Sequence, residues 1–292
     1  MEGILNIDKP QWLSSHDVVA QVRRICGTRR VGHAGTLDPL ATGVLLVCVG
    51  RATRLVEYLM GQQKVYTATV RLGQTTDTYD AEGTVTAERP FAHITAADIQ
   101  HALERFRGPI EQIPPIYSAL KVDGQPMYKL ARAGKTVARK PRSVTIYELA
   151  LLDWTPPHLQ LHVVCSTGTY IRSLAHDIGE LLGCGGHVTA LRRTAVGAFS
   201  LADAVTLETL QTAASWESFC LPSDQAVSDF LRVDASEAET AALLMGQPIP
   251  CATAASEAAL TRVYDQEGQF FGILRYKANA WHPKKMFPPK SL

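Results

Sequence analysis

At 292 residues the chain has room for one large domain and a small one. A content of 46% hydrophobic and 20% charged residues is that of an ordinary globular protein, and the net charge of +1 does not by itself announce a nucleic-acid binder. No apolar run approaches the roughly 18 residues that a membrane helix needs.

The first residues, Met1-Glu2-Gly3-Ile4, run straight into a strand-like segment, Ile4–Ile7. They carry neither a basic nor an extended apolar leader, so no signal peptide is expected. Ser14 with Asp17 three residues on predicts a capped helix. Val18, Val19, Val22 and Ile25 recur at helical spacing, and Gly27 ends it.

Then comes Gly32-His33-Ala34-Gly35-Thr36-Leu37-Asp38-Pro39-Leu40-Ala41-Thr42-Gly43, read as a loop, and an apolar strand from Val44 to Val49. Its glycines allow sharp turning, and Pro39 fixes φ directly after the acid. Pro39 also biases Asp38 toward an extended backbone, so a loop pinned this way can present one carboxylate in one direction. A short helix ending at Gly61 follows.

Residues 65–72 alternate: Tyr66, Ala68, Val70 and Leu72 share one face, so Tyr66 sits in the core or lines a pocket at the strand's end. Residues 73–90 read as loop. Residues 96–107 read as a helix capped by Thr95 and Asp98 and stopped by Gly108-Pro109. Residues 110–143 read as a long basic excursion with a short helix near Tyr128–Ala133. Loops of that length in a compact domain are usually functional or disordered.

Strands are expected at about 144–153 and 159–166. Next comes a helix capped by Thr169, with Ile171, Leu174, Ala175, Ile178, Leu181 and Leu182 on one side and Gly183 at its end. Past about residue 225 a helix capped by Ser236 and Glu239 and two strands, near 262–264 and 270–276, outline a minimal second domain.

Charge is unevenly spread. Residues 9–54 hold seven Lys or Arg against two acids, residues 112–143 hold seven against Asp123, and residues 200–244 hold eight acids against Arg232. Two basic segments with an acidic counterweight fit a polarised, phosphate-facing surface. Six scattered cysteines without a C-x-x-C pair argue against zinc and for unpaired thiols in a reducing cytoplasm.

The stretch GHAGTLDPLATGVL resembles the catalytic motif of the TruB family of tRNA pseudouridine synthases. Other stretches agree, in the family's order, over roughly residues 3 to 205. They are Ile7-Asp8-Lys9-Pro10 with Ser14-Ser15 (Trp12 standing where the family usually has Gly), and Lys64-Val65-Tyr66 with Arg71-Leu72-Gly73 and Thr76-Asp77-Thr78. Pro115–Lys121, Gly168–Arg172 and Leu191-Arg192-Arg193 complete the set. The C-terminal part is similar to a degenerate PUA domain, the plainer alternative being a structural cap.

The resemblance implies an α+β fold, a pseudouridine synthase fold with a mixed, mostly antiparallel sheet flanked by helices. Residues 1–225 would form the catalytic domain, with an RNA-gripping insertion at about 110–143, and residues 226–292 a small β-rich PUA-like domain. It implies Asp38 as nucleophile, Tyr66 as a catalytic residue that stacks on the target base and is implicated in proton transfer, Tyr170 and Leu191 lining the pocket, and His33 filling the vacated place in the RNA. Lys9 would support the loop. Lys121, Lys129 and Arg132 would meet phosphates of the T stem-loop of tRNA. No metal, cofactor or obligatory protein partner is expected, and a cytoplasmic monomer is the default.

Chemistry gives the same requirements. Pseudouridine formation exchanges an N1–C1′ bond for a C5–C1′ bond with no net loss of atoms, so one nucleophile, a proton handler and a dry pocket suffice. A carboxylate can attack C6 of the base or C1′ of the sugar. Arg172, in the first turn of its helix, is the expected partner that keeps Asp38 ionised. Two other classes remain open. A glycosidase needs a second positioned carboxylate, for which Asp8 and Asp77 lack a paired spacing. A non-catalytic RNA-binding protein would need no ionised Asp38.

Overall fold

The computed structural model describes residues 2–118, 121–122, 125–127, 139–251 and 256–288. Strand β1 (Gly3–Lys9) is almost wholly buried and runs antiparallel to β3 (Thr42–Val49). Between them α1 (Ser15–Ile25) starts at the expected Ser14–Asp17 box and buries Val18, Val19 and Val22. The motif is not all loop. Strand β2 (Val31–Ala34) pairs with β3 and puts His33 opposite Val47, leaving only residues 35–41 outside the sheet.

A 3-10 segment (Gly50–Leu55) and α2 (Val56–Gly61) lead to β4 (Lys64–Leu72), whose alternation buries Tyr66, Ala68, Val70 and Leu72. Residues 73–90, expected as loop, include a hairpin, β5 (Gln74–Thr76) with β6 (Val85–Glu88). Its threonines pair across the strands, Thr75 with Thr86, so polar side chains carry a pairing that apolar periodicity cannot reveal. Helix α3 (Ala96–Glu104) has the Thr95–Asp98 box but stops before residue 107, and Gly108-Pro109 open strand β7 (Gly108–Gln112) rather than merely ending a helix.

In the basic excursion β8 (Lys121–Val122) pairs with β9 (Gln125–Pro126). The expected helix at 128–133, with Lys129 and Arg132, lies outside the described residues. So does the side chain of Lys121.

Strands β10 (Arg142–Thr155) and β11 (His158–Cys165) form the expected hairpin. Helix α4 (Ile171–Leu181) follows, but Thr169 does not cap it: its hydroxyl donates to the Ser166 carbonyl at 3.0 Å. Tyr170 is the N-cap residue and has no side-chain cap bond. Instead the buried Gln112 accepts from the Tyr170 N–H at 2.7 Å and donates to its carbonyl at 2.9 Å. A partner 58 residues away thus fixes the strand-to-helix turn, which local capping rules cannot anticipate.

After α4 come β12 (Gly186–Val196), β13 (Phe199–Ser200), β14 (Val205–Thr206) and α5 (Leu207–Thr212). The large sheet has the order β14-β1-β3-β12-β4-β11-β10-β7, with β13 on β12 and β2 on β3. Only β1/β14 and β3/β12 are parallel, so the fold is α+β with a mixed, mostly antiparallel sheet flanked by helices.

Strand β12 does the assembling. It sets Arg193 opposite Gly43 of β3 on one side and opposite Tyr66 of β4 on the other. Three motifs far apart in sequence meet on adjacent strands.

A second sheet, β15-β17-β18-β19-β16, comprises β15 (Leu231–Asp234), β16 (Ile249–Pro250), β17 (Leu260–Tyr264), β18 (Phe270–Lys277) and β19 (Ala280–Met286). Helix α6 (Glu237–Leu244) has the expected Ser236–Glu239 box. Ile273 and Phe287 join Leu55, Leu59, Leu46 and Val227 in one buried cluster, so the two sheets share a core.

Candidate active site

The loop from Gly35 to Ala41 is tied down from three directions. The guanidinium of Arg193, 1% exposed, donates to the Gly35 carbonyl at 3.0 Å and to the Val44 carbonyl at 2.7 Å. The buried Ser15 hydroxyl accepts from Leu37 N–H at 2.8 Å and donates to the Leu37 carbonyl at 3.1 Å. The Pro39 carbonyl accepts from Trp12 N–H at 2.7 Å and from Lys9 Nζ at 3.3 Å.

Lys9 is fully buried and also donates to the carbonyls of Pro10 and Leu13. Burial pushes its pKa down to about 8, with the Asp38 charge opposing that drop. Gly43 closes the loop at φ +98°, where a Cβ would lie 2.2 Å from the Arg193 carbonyl oxygen. Only glycine fits there.

Held this way, Asp38 meets Arg172. Nε of Arg172 lies 2.9 Å from Oδ2, and Nη2 donates to Oδ1 at 3.2 Å. The guanidinium continues to Asp80 Oδ2 at 3.1 Å, the Thr78 carbonyl at 3.1 Å and the Tyr117 carbonyl at 2.8 Å. Arg172 and Asp80 are buried, whereas the Asp38 side chain keeps 36% of its surface exposed.

Arg172 is therefore no solvated helix residue. Asp80 is a second acid on it that the sequence reading missed, although its neighbours Asp77 and Thr78 stood in a recognised motif. Both Asp80 oxygens are engaged: Oδ1 accepts from Thr78 Oγ1 at 2.6 Å and from Glu82 N–H at 3.1 Å.

Burial raises the Asp38 carboxyl above its ordinary value. Arg172 pulls it back down, and the Asp80 charge pushes it up again. The expected lowering by Arg172 is present, but desolvation outweighs it.

Asp38 and Arg172 open on a cleft of about 760 Å³, within the usual size of ligand sites. Thr36, Leu37 and Pro39 line it from the loop, Ser14, Ser15 and His16 from the α1 start, and Asp77, Thr78, Asp80 and Glu82 from the segment after β5. Tyr117 and Ser118 close another side. Burial, then the Asp80 and Asp38 charges, raise the Glu82 carboxyl as well.

The other expected site residues stand behind this lining rather than in it. Tyr66 and Leu191 are both 8% exposed in the apolar core, in a cluster with Leu37 and Leu40. Burial raises the Tyr66 phenol, and the Arg193 charge opposes it. Tyr170 is half-buried at the start of α4, its phenol likewise raised by burial. His33 is half-buried in β2, edge-on to His16 with ring centroids 5.3 Å apart, and its Nδ1 is buried without a partner. Burial and the neighbouring His16 and Arg193 push its pKa down to about 4.

Asp8 pairs with Arg192 at 2.8 Å. Arg193 is the other residue passed over, although it closed a quoted motif. A charged side chain in an apolar strand was its signal. Among the described residues no three His, Cys, Asp or Glu side chains gather as a metal site, and no helix is long and apolar enough to cross a membrane.

Residues 23–171 match the family model described as TruB family pseudouridylate synthase (N terminal domain). Residues 172–232 match the tRNA pseudouridylate synthase B C-terminal domain, and residues 232–287 the pseudouridine synthase II TruB C-terminal domain. A tRNA pseudouridine synthase B of Pseudomonas aeruginosa is 48% identical over 279 residues, covering 94% of this chain and 91% of that one. One from Syntrophotalea carbinolica is 53% identical over 211 residues, 72% of this chain and 69% of that one.

Among solved structures, a chain of a Cbf5-Nop10-Gar1 complex superposes with a TM-score of 0.76 at 26% identity, over 99% of this chain and 85% of its own. A chain of an H/ACA RNP bound to a substrate RNA containing 2'-deoxyuridine shares the fold, with a TM-score of 0.75 at 24% identity, over 99% of this chain and 86% of its own. The chain belongs to the TruB family and is a pseudouridine synthase.

Proposed function

We propose that this enzyme converts uridine 55 in the T loop of tRNA to pseudouridine, with Asp38 as nucleophile. The supporting observation is the Asp38 carboxylate, the acid of the cleft that the pinned loop carries and that the buried Arg172 holds at 2.9 Å while its side chain stays 36% exposed. The tRNA substrate is inferred from relatives named tRNA pseudouridine synthase B.

The target uridine leaves the stack to reach the cleft, at a cost of a few kcal/mol. Asp38 attacks C6 of the base or C1′ of the sugar, and the N1–C1′ bond breaks. The base turns within the pocket and C5 bonds to C1′; the Asp38 bond to C1′ is displaced in that step, or its bond to C6 is eliminated after it, restoring the carboxylate, and the proton lost from C5 is balanced by one taken up at N1. Arg172 holds Asp38 in its attacking geometry and supports its charged form.

Tyr66 offers a stacking face from the sheet, with Tyr170 and Leu191 shaping the apolar wall once the base is seated. His33, uncharged near neutrality, fills the space left in the RNA. Lys9 braces the loop. Lys121, Lys129 and Arg132 of the basic excursion meet phosphates. In this reading residues 1–225 form the catalytic domain, with the insertion at about 110–143. Residues 226–292 form a PUA-like module that adds RNA contact, and the protein acts as a cytoplasmic monomer without metal or cofactor. Asp80, 2% exposed with both oxygens engaged, is not free to act as the second carboxylate that a glycosidase needs.

The test is tritium release from tRNA transcripts labelled at C5 of uridine. The parent releases one tritium per tRNA, none when the T-loop uridine is replaced, while Asp38→Asn releases none and binds tRNA within about tenfold, one 1.4 kcal/mol step. Steady turnover by Asp38→Asn would remove Asp38 from the nucleophile's role. Release that survives loss of the T-loop uridine would move the target elsewhere.

A further inference from the structure

Trp12 is an outlier twice over. It sits at φ +68°, a left-handed conformation that a bulky L-residue adopts only at a cost. It also exposes 62% of its surface, although it is the largest kind of aromatic side chain. Among the described residues its indole makes no aromatic, cation–π or hydrogen-bonding contact; only its backbone N–H is engaged, to Pro39. A strained backbone that holds an apolar ring in water is not explained by folding stability.

Its position supplies the explanation. The Trp12 amide bonds the carbonyl directly after Asp38, so the turn that displays the ring is mechanically joined to the reacting loop. Ser14, Ser15 and His16, two to four residues on, form one wall of the cleft. The segment around it, residues 9–54, holds seven Lys or Arg against two acids, which suits a polyanion. A flat exposed aromatic beside a cleft that takes an extruded nucleotide is suited to stacking on a neighbouring unpaired base.

We propose that Trp12 is a stacking platform for an unpaired base next to the target uridine, holding the RNA at the cleft mouth without touching the reacting atoms. The proposal rests on the reading of this cleft as the uridine site. Base–aromatic stacking is sequence-tolerant, so the platform raises affinity for looped RNA generally and carries no base code.

The test uses the full-length protein and a T-arm RNA hairpin. Trp12→Gly relieves the left-handed strain, so a purely structural role predicts equal or higher thermal stability and unchanged kinetics. Stacking predicts the same stability but an RNA Kd and KM raised about tenfold, with kcat kept within about twofold, and Trp12→Phe restoring most of the affinity. Hairpin binding should also quench a fluorescence component that Trp12→Phe lacks.

Parent-like Kd, KM and quenching in these variants would overturn the platform while leaving the uridine site intact. Absence of tritium release from the parent would instead overturn the reading of the cleft. Quenching needs no turnover, so the two failures are separately visible.

Discussion

At the scale of single residues, the site puts function ahead of stability. The Asp38 carboxyl is raised by burial, so keeping it ionised at neutral pH costs folding free energy. Asp38→Asn removes that cost, and Asp80 remains to pair Arg172. Its melting temperature should therefore equal or exceed the parent's while turnover is lost.

His33 shifts the other way, from 6.5 to about 4. The unfolded chain takes up a proton below 6.5 that the folded one refuses until about 4, so this residue's contribution is intact above 6.5 and is lost as the pH falls between the two values. His33→Gln should consequently lose less stability than the parent between pH 6.5 and 4 in urea titrations. Parallel stability curves would mean that His33 is solvated enough to titrate normally.

Elements matter here through the ties between them. Loop 35–41 has no regular structure of its own and takes its shape from α1, β1 and β12. Ser15 belongs to α1, yet both of its hydroxyl bonds go to Leu37, the residue before Asp38. Ser15→Ala leaves a buried N–H and C=O unpaired, a loss of about 1–3 kcal/mol. That corresponds to a fall in melting temperature of roughly 2–10 °C for a domain of this size. Because the next residue is the acid, kcat should fall while RNA binding changes little. An unchanged kcat with lowered stability would mean that Asp38 is positioned by Arg172 and Pro39 alone.

For the molecule as a whole, the question is how a nearly neutral protein holds a polyanion. The positive charge is concentrated in residues 9–54 and 112–143, and the acids lie in 200–244. Neutralising Lys129 and Arg132 together should weaken tRNA binding and flatten its salt dependence by about 0.7–0.9 in log–log slope per lost phosphate contact. Binding assays across a salt series would read this directly. A slope identical to the parent's would separate the basic excursion from the RNA backbone.

By itself the sequence determined what short-range physics controls. Capping boxes at Ser14, Thr95 and Ser236 and the alternation of β4 are local patterns, and each appears where local rules put it; of the apolar face expected on α4, Ile171, Leu174, Ala175 and Ile178 are buried but Leu181 is exposed, while Arg172 and Ser173 are buried beside them. The motif around Asp38 was legible for the same reason, since its glycines and proline restrict the backbone within a few residues. Tertiary structure decided the rest, because the partners are distant in sequence. Asp80 reaches Arg172 only when the segment after β5 folds over α4, Arg193 reaches Gly35 only through the β3–β12 pairing, and Gln112 replaces the expected Thr169 cap only when β7 closes the sheet edge. The polar hairpin β5–β6 has no apolar period to announce it. Burial, which turns Asp38 upward against its own arginine, exists only once the whole core has closed.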